Sequence, residues 1–83
     1  MDIIKKMAEI FKEENLYPEE YWQDPDLPIV FYVTIDGDWK HDHGYIDYLM
    51  GERLGLKKMG ERDVEENGDD WYQSTHVYIS TQI

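Results

Sequence analysis

Three imidazoles and one carboxylate stand at spacings that let them meet around a metal ion. His41 and His43 close the run Asp36-Gly-Asp-Trp-Lys-His-Asp-His43, and His76 lies in the last strand-like segment. If a helix begins near His43, Asp47 follows one turn later at i+4, where two helical side chains converge on one ion. His41, in the extended lead-in, closes from outside. Two or three imidazoles with a carboxylate suit zinc, and a structural zinc joining helix, loop and strand would strengthen a thin core. His41, His43, Asp47 and His76 are therefore the candidate ligands and zinc the candidate cofactor. Parity adds a condition. Val77 and Ile79 mark the more apolar face of the last strand, so His76 points with Tyr72, Ser74 and Tyr78 to the other face. The site closes only if the second helix covers that tyrosine-rich side.

A second constellation is electrostatic. Glu61, Asp63, Glu65, Glu66, Asp69 and Asp70 flank an Asn67-Gly68 pair that reads as a hairpin tip. Carboxylates at alternate strand positions point the same way at roughly 6.7 Å spacing, which predicts a concentrated negative surface with Trp71 and Tyr72 beside it. The whole chain leans that way, with 19 acidic against 8 basic residues and a formal net charge of -11. Nucleic-acid binding depends on neutralising phosphates, so direct DNA or RNA binding is not expected. The expected partner is a protein with a basic surface that normally holds phosphate. Exposed tyrosine and tryptophan would supply contact area at little rotamer cost.

Catalytic patterns are missing from the sequence. It has no nucleophile motif, phosphate-cradling glycine loop or nucleotide fingerprint. Ser74 and His76 alternate on one strand face without the remaining parts of a hydrolytic site. Carboxylates at this density read as a solvated face, and a non-enzymatic protein is expected.

The elements that must position these groups are short. Eighty-three residues without cysteine predict a single domain, 1–83, with a thin core, no disulfide and a reducing compartment. No apolar run of about 18 residues is present to span a bilayer, and the charged, amphipathic start is unlike a secretory signal. The expected setting is the host cytoplasm. Apolar spacing predicts a helix from Ile3 to about Glu14 behind an Asp2 cap, then an ordered connector over 17–28 that carries all three prolines. Ile29 to Ile35 alternates as a strand and turns at Asp36-Gly37-Asp38. A second helix runs from about His43 to Leu54 between Asp42 and Gly55 as caps. Leu56 to Glu66 and Asp69 to Thr81 form a hairpin around the two-residue Asn-Gly turn. The expectation is an α+β domain with a three-stranded sheet and two helices, in the order α-β-α-β-β with a C-terminal β-hairpin. The crossover through the second helix makes the first two strands parallel, either adjacent or separated by the last.

Two stretches, Gly37-Asp-Trp-Lys-His-Asp-His43 and Glu66-Asn-Gly-Asp-Asp-Trp-Tyr-Gln-Ser-Thr-His76, resemble segments of short reading frames from phages and mobile elements. In size, acidity and lack of cysteine the chain is also similar to the anti-CRISPR inhibitors, small acidic proteins that occupy nucleic-acid-binding surfaces of CRISPR nucleases. That resemblance implies a non-enzymatic, phage-type inhibitor of a host defence nuclease. It implies no common fold and no catalytic residue. The alternative is a small bacterial metal-binding or accessory protein whose acidity serves solubility.

Overall fold

The structure, a computed structural model, describes residues 2–68 and 71–81. Helix α1 (Ile3–Glu13) forms where apolar residues recur behind Asp2, whose carboxylate accepts the Lys5 N–H at 3.1 Å. Its inner stripe buries Met7, Ile10 and Phe11. Strand β1 (Glu20–Gln23) follows and pairs antiparallel with β2 (Val30–Asp38). A π-helical turn, Trp39–His43, leads into α2 (Gly44–Leu54). Gly55, at φ 65°, ends α2 in the left-handed conformation that a helix stop favours. Strands β3 (Leu56–Glu66) and β4 (Trp71–Ser80) pair antiparallel to complete the sheet.

All neighbouring strands are antiparallel and their spatial order is β1-β2-β4-β3. The α+β class with two helices stands, but the expected three-stranded sheet in the order α-β-α-β-β is corrected to four strands in the order α-β-β-α-β-β. The C-terminal hairpin is not a terminal appendage, because β4 lies between β2 and β3. β2 and β3 therefore run in the same direction without pairing.

Residues 20–23 were expected to be connector because prolines flank them and four residues are too few to show alternation. Tertiary contacts make them a strand: Tyr21 meets Phe11 edge to face at 5.1 Å, and Trp22 stacks on Tyr32 at 4.9 Å. β2 also continues through the expected turn, since Asp36, Gly37 and Asp38 pair with Gln73, Tyr72 and Trp71. At the far end the Asn67 N–H donates to the Trp71 carbonyl at 2.9 Å. The loop is thus longer than a two-residue Asn-Gly turn. Asp69 and Asp70, expected in the acidic tip, lie outside the described residues.

Both helices pack on one face, where Ile46, Leu49, Met50 and Leu54 of α2 join the α1 stripe over Phe31, Val33, Ile35 and Tyr78. That is the face to which Ser74 and His76 also point, so the parity condition for a buried site is met. The opposite face holds a hydrogen-bonded Thr34–Thr75 pair at 2.8 Å and the Arg62 guanidinium 4.4 Å above the Tyr32 ring. No described helix is long and apolar enough to cross a membrane.

Candidate metal centre

The acidic lead-in to α2 folds on itself before it delivers a histidine. Asp38 Oδ1 accepts the Lys40 and His41 N–H groups at 2.8 and 2.9 Å, capping the π turn. Asp42 reaches back to accept the Asp38 N–H at 2.8 Å. Only glycine fits beneath it: a Cβ on Gly37 would stand 2.3 Å from Asp42 Oδ2. Asp42 thus braces the turn and does not cap α2. Single π turns recur where a functional side chain must be placed off the α-helical register, and this one carries His43 into the interior at 2% exposure. His41 goes the other way. Its side chain is 83% exposed and stands 3.4 Å from Asp38, so it is not part of the centre.

Strand β3 supplies two more groups by breaking its own alternation. Lys58 pairs with Tyr78, Gly60 with Val77 and Glu61 with His76, leaving Met59 as an extra residue. A bulge of this kind shifts every later side chain to the other face. Lys58 and Glu61, three residues apart, consequently both point under the helices. A second irregularity lies between Arg62 and Glu65, where Asp63 takes φ 53°. The described carboxylates of β3 therefore do not share one face as expected. Glu61 turns inward, Asp63 sits 3.7 Å from Arg62, and Glu65 and Glu66 are exposed opposite Gln73 and Tyr72.

Two buried imidazoles form the centre. His43 Nδ1 lies 2.7 Å from His76 Nε2, and Glu61 Oε1 lies 3.7 Å from the same His76 nitrogen. Ser74 Oγ donates to Glu61 Oε1 at 2.7 Å and stands 3.5 Å from His43 Nδ1. The outer nitrogens are held separately. His43 Nε2 is 2.8 Å from the Tyr72 carbonyl, which only accepts, so that nitrogen carries the proton and Nδ1 presents its lone pair inward. His76 Nδ1 lies 2.9 Å from Asp47 Oδ1, which also accepts the Tyr78 hydroxyl at 2.6 Å. Lys58 Nζ reaches Asp47 Oδ2 at 2.7 Å, Glu61 Oε2 at 2.9 Å and His76 Nδ1 at 2.9 Å. The Tyr72 ring stacks on His43 with centroids 3.8 Å apart.

The environment holds His43 and Glu61 in their metal-ready forms. Burial lowers the His43 pKa, against the pull of the Tyr72 carbonyl, so the ring is neutral at pH 7. Burial alone would raise Asp47, but hydrogen bonds from His76, Lys58 and Tyr78 outweigh it and bring the carboxyl to about 2. Glu61 is likewise lowered, burial being overcome by Ser74 and Lys58. Tyr72, raised to about 12 by burial and the Glu61 charge, stays a phenol.

His43, Glu61 and His76 each offer a ligand atom, and these atoms lie within 4.8 Å of one another. The three residues can hold a metal ion. Ligating histidines characteristically give their other ring N–H to a carboxylate or a backbone carbonyl. Both forms occur here, Asp47 behind His76 and the Tyr72 carbonyl behind His43. Nitrogens bound to one tetrahedral zinc at roughly 2.0–2.1 Å stand about 3.3 Å apart, so the histidine pair must open by about 0.6 Å to admit it. A shallow recess of about 310 Å³, lined by Glu61, Val64, Glu66 and Tyr72, reaches the Glu61 side of the centre. No family model, curated protein or solved structure matches this chain.

Of the four expected ligands, the structure brings His43, Asp47 and His76 together, with Asp47 behind His76 as a support. Glu61, expected at a partner surface, instead joins the centre together with Lys58 and Ser74. Ser74 shares the strand face of His76, which was a usable signal. Lys58 and Glu61 carried none, because their common direction depends on the bulge at Met59. Of the expected partner-binding aromatics, Tyr72 is committed to His43, while Trp71 stays half exposed and donates its indole N–H to Asp36 at 3.1 Å.

Proposed function

We propose that this domain binds a divalent transition-metal ion, zinc by its donor chemistry, through His43, His76 and Glu61. The observation that carries the reading is the pairing of convergent inner ligand atoms with supported outer nitrogens on both histidines. Nitrogen and carboxylate donors in this ratio suit zinc, and three protein ligands leave a further coordination position. The ion would tie the α2 lead-in, the edge strand β3 and the inner strand β4 to one point. In a domain this small, metal binding is also folding free energy.

The test is zinc titration of tag-free protein after chelator treatment, with His43→Ala, His76→Ala and Glu61→Gln in parallel. The expected result is one zinc per chain, lost in the histidine variants and weakened in Glu61→Gln. Wild-type protein that takes up no zinc would reject the reading.

A second reading, the phage-type inhibitor of a nucleic-acid-binding nuclease, is supported by the surface. Glu65 and Glu66 are exposed, Trp71 is half exposed and the net charge is -11. Opposed charge of this kind favours encounter with a basic protein groove. Glu61 is directed toward the histidine centre, and Asp63, 82% exposed, stands 3.7 Å from Arg62. Capture of a basic nuclease that weakens with salt and is lost in a Glu65→Gln, Glu66→Gln double variant supports it. Capture unchanged by the double variant rejects that surface.

A further inference from the structure

We infer that Lys58 is the residue that sets the metal affinity of this centre, because its ammonium holds the position of charge that a divalent ion must take over. The inference rests on the metal-binding reading above. Lys58 Nζ touches three of the groups around the centre: Asp47 Oδ2, Glu61 Oε2 and His76 Nδ1. It pairs with both carboxylates and offsets one of their two negative charges.

Two physical arguments require it to give way. The first is proton accounting. When His76 ligates through Nε2 as a neutral imidazole, its one proton must sit on Nδ1. That N–H donates to Asp47, so the ammonium 2.9 Å away finds no acceptor at this nitrogen. The second is charge. Asp47, Glu61 and Lys58 together carry one net negative charge. A divalent ion added to all three leaves a net positive site, whereas the same ion with Lys58 withdrawn leaves a neutral one. Uncompensated charge in a largely buried site is costly.

The fold allows the withdrawal. β3 is an edge strand, and the Lys58 side chain is already 27% exposed. Its flexible stem can carry the ammonium to solvent without moving the backbone. Lys58 is thus a positioning residue in the metal-free protein and a competitor of the metal.

Zinc affinity of Lys58→Met, measured by titration calorimetry beside wild type and Lys58→Arg, tests this directly. Lys58→Met keeps the stem and removes the charge, and about tenfold tighter binding is expected from loss of a competing cation at this distance. Lys58→Arg should stay near wild type. A second readout needs no variant: acetylation of Lys58 by an amine-reactive ester, followed by mass spectrometry, should rise when zinc is added to wild-type protein. Equal or weaker binding by Lys58→Met, or protection of Lys58 on loading, overturns the inference while leaving the metal site standing. Wild-type protein that binds no zinc removes both.

Discussion

His43 Nδ1 and His76 Nε2 face each other at 2.7 Å, although 33 residues separate them in the chain. Each ring is fixed by its other nitrogen, one through a backbone carbonyl and one through a carboxylate. The pair is therefore a preorganised donor set whose rings cannot turn without losing a buried hydrogen bond. Several measurable consequences rest on that arrangement.

Removing one ring strands its partners. His76 is fully buried and bonded to His43, Asp47 and Lys58. His76→Ala leaves a cavity and unpaired polar groups, and it should cost about 2–4 kcal/mol. Urea unfolding in the presence of chelator measures the loss without any contribution from metal. A change below about 0.5 kcal/mol would show that the network contributes no stability.

Two glycines should respond with opposite signs. In Gly37→Ala the new methyl meets Asp42 Oδ2, displaces the brace of the π turn and should cost about 2–3 kcal/mol. Zinc affinity should fall with it, since His43 follows that turn. Gly51 is on the exposed side of α2 with nothing nearer than 3.8 Å to a Cβ, so Gly51→Ala should stabilise the fold by about 0.5–1 kcal/mol. Thermal melts of the two variants give the comparison.

Acid should weaken the metal-free fold in two stages. His43 has its pKa lowered below 6.5 on folding, so its contribution is present above pH 6.5 and declines as pH falls through the folded value. Asp47 drops from 3.8 to about 2, so its contribution is present above pH 3.8 and is lost on the way down to about pH 2. With partial solvent screening, the Asp47 share is on the order of 1–2 kcal/mol. Denaturation curves from pH 7 to 2 should show both declines, and Asp47→Asn should flatten the lower one.

The open face of the sheet offers a control. Arg62 sits over Tyr32, on the face of the sheet opposite the histidine centre. Arg62→Ala should cost about 0.5–1 kcal/mol through the lost cation–π contact. Its zinc stoichiometry should equal wild type, so a loss of uptake would show that the two faces are coupled.

Local pattern alone determined the two helices, the alternating strand expected over Ile29 to Ile35 and observed from Val30, the Asp2 and Gly55 caps and the nearness of His43 to Asp47. Each depends on residues within a few positions of one another, where periodicity and capping chemistry act directly. Tertiary structure decided the rest. Residues 20–23 became a strand because Phe11 and Tyr32 gave Tyr21 and Trp22 surfaces to pack on. β4 took the inner position because pairing with β2 on one side and β3 on the other satisfies both its edges. The bulge at Met59 then reversed the direction of Glu61. One inserted residue in a pairing register flips every side chain beyond it, and register belongs to two strands at once. That is why the sequence showed the histidines, while only the folded sheet turned Glu61 and Lys58 toward them.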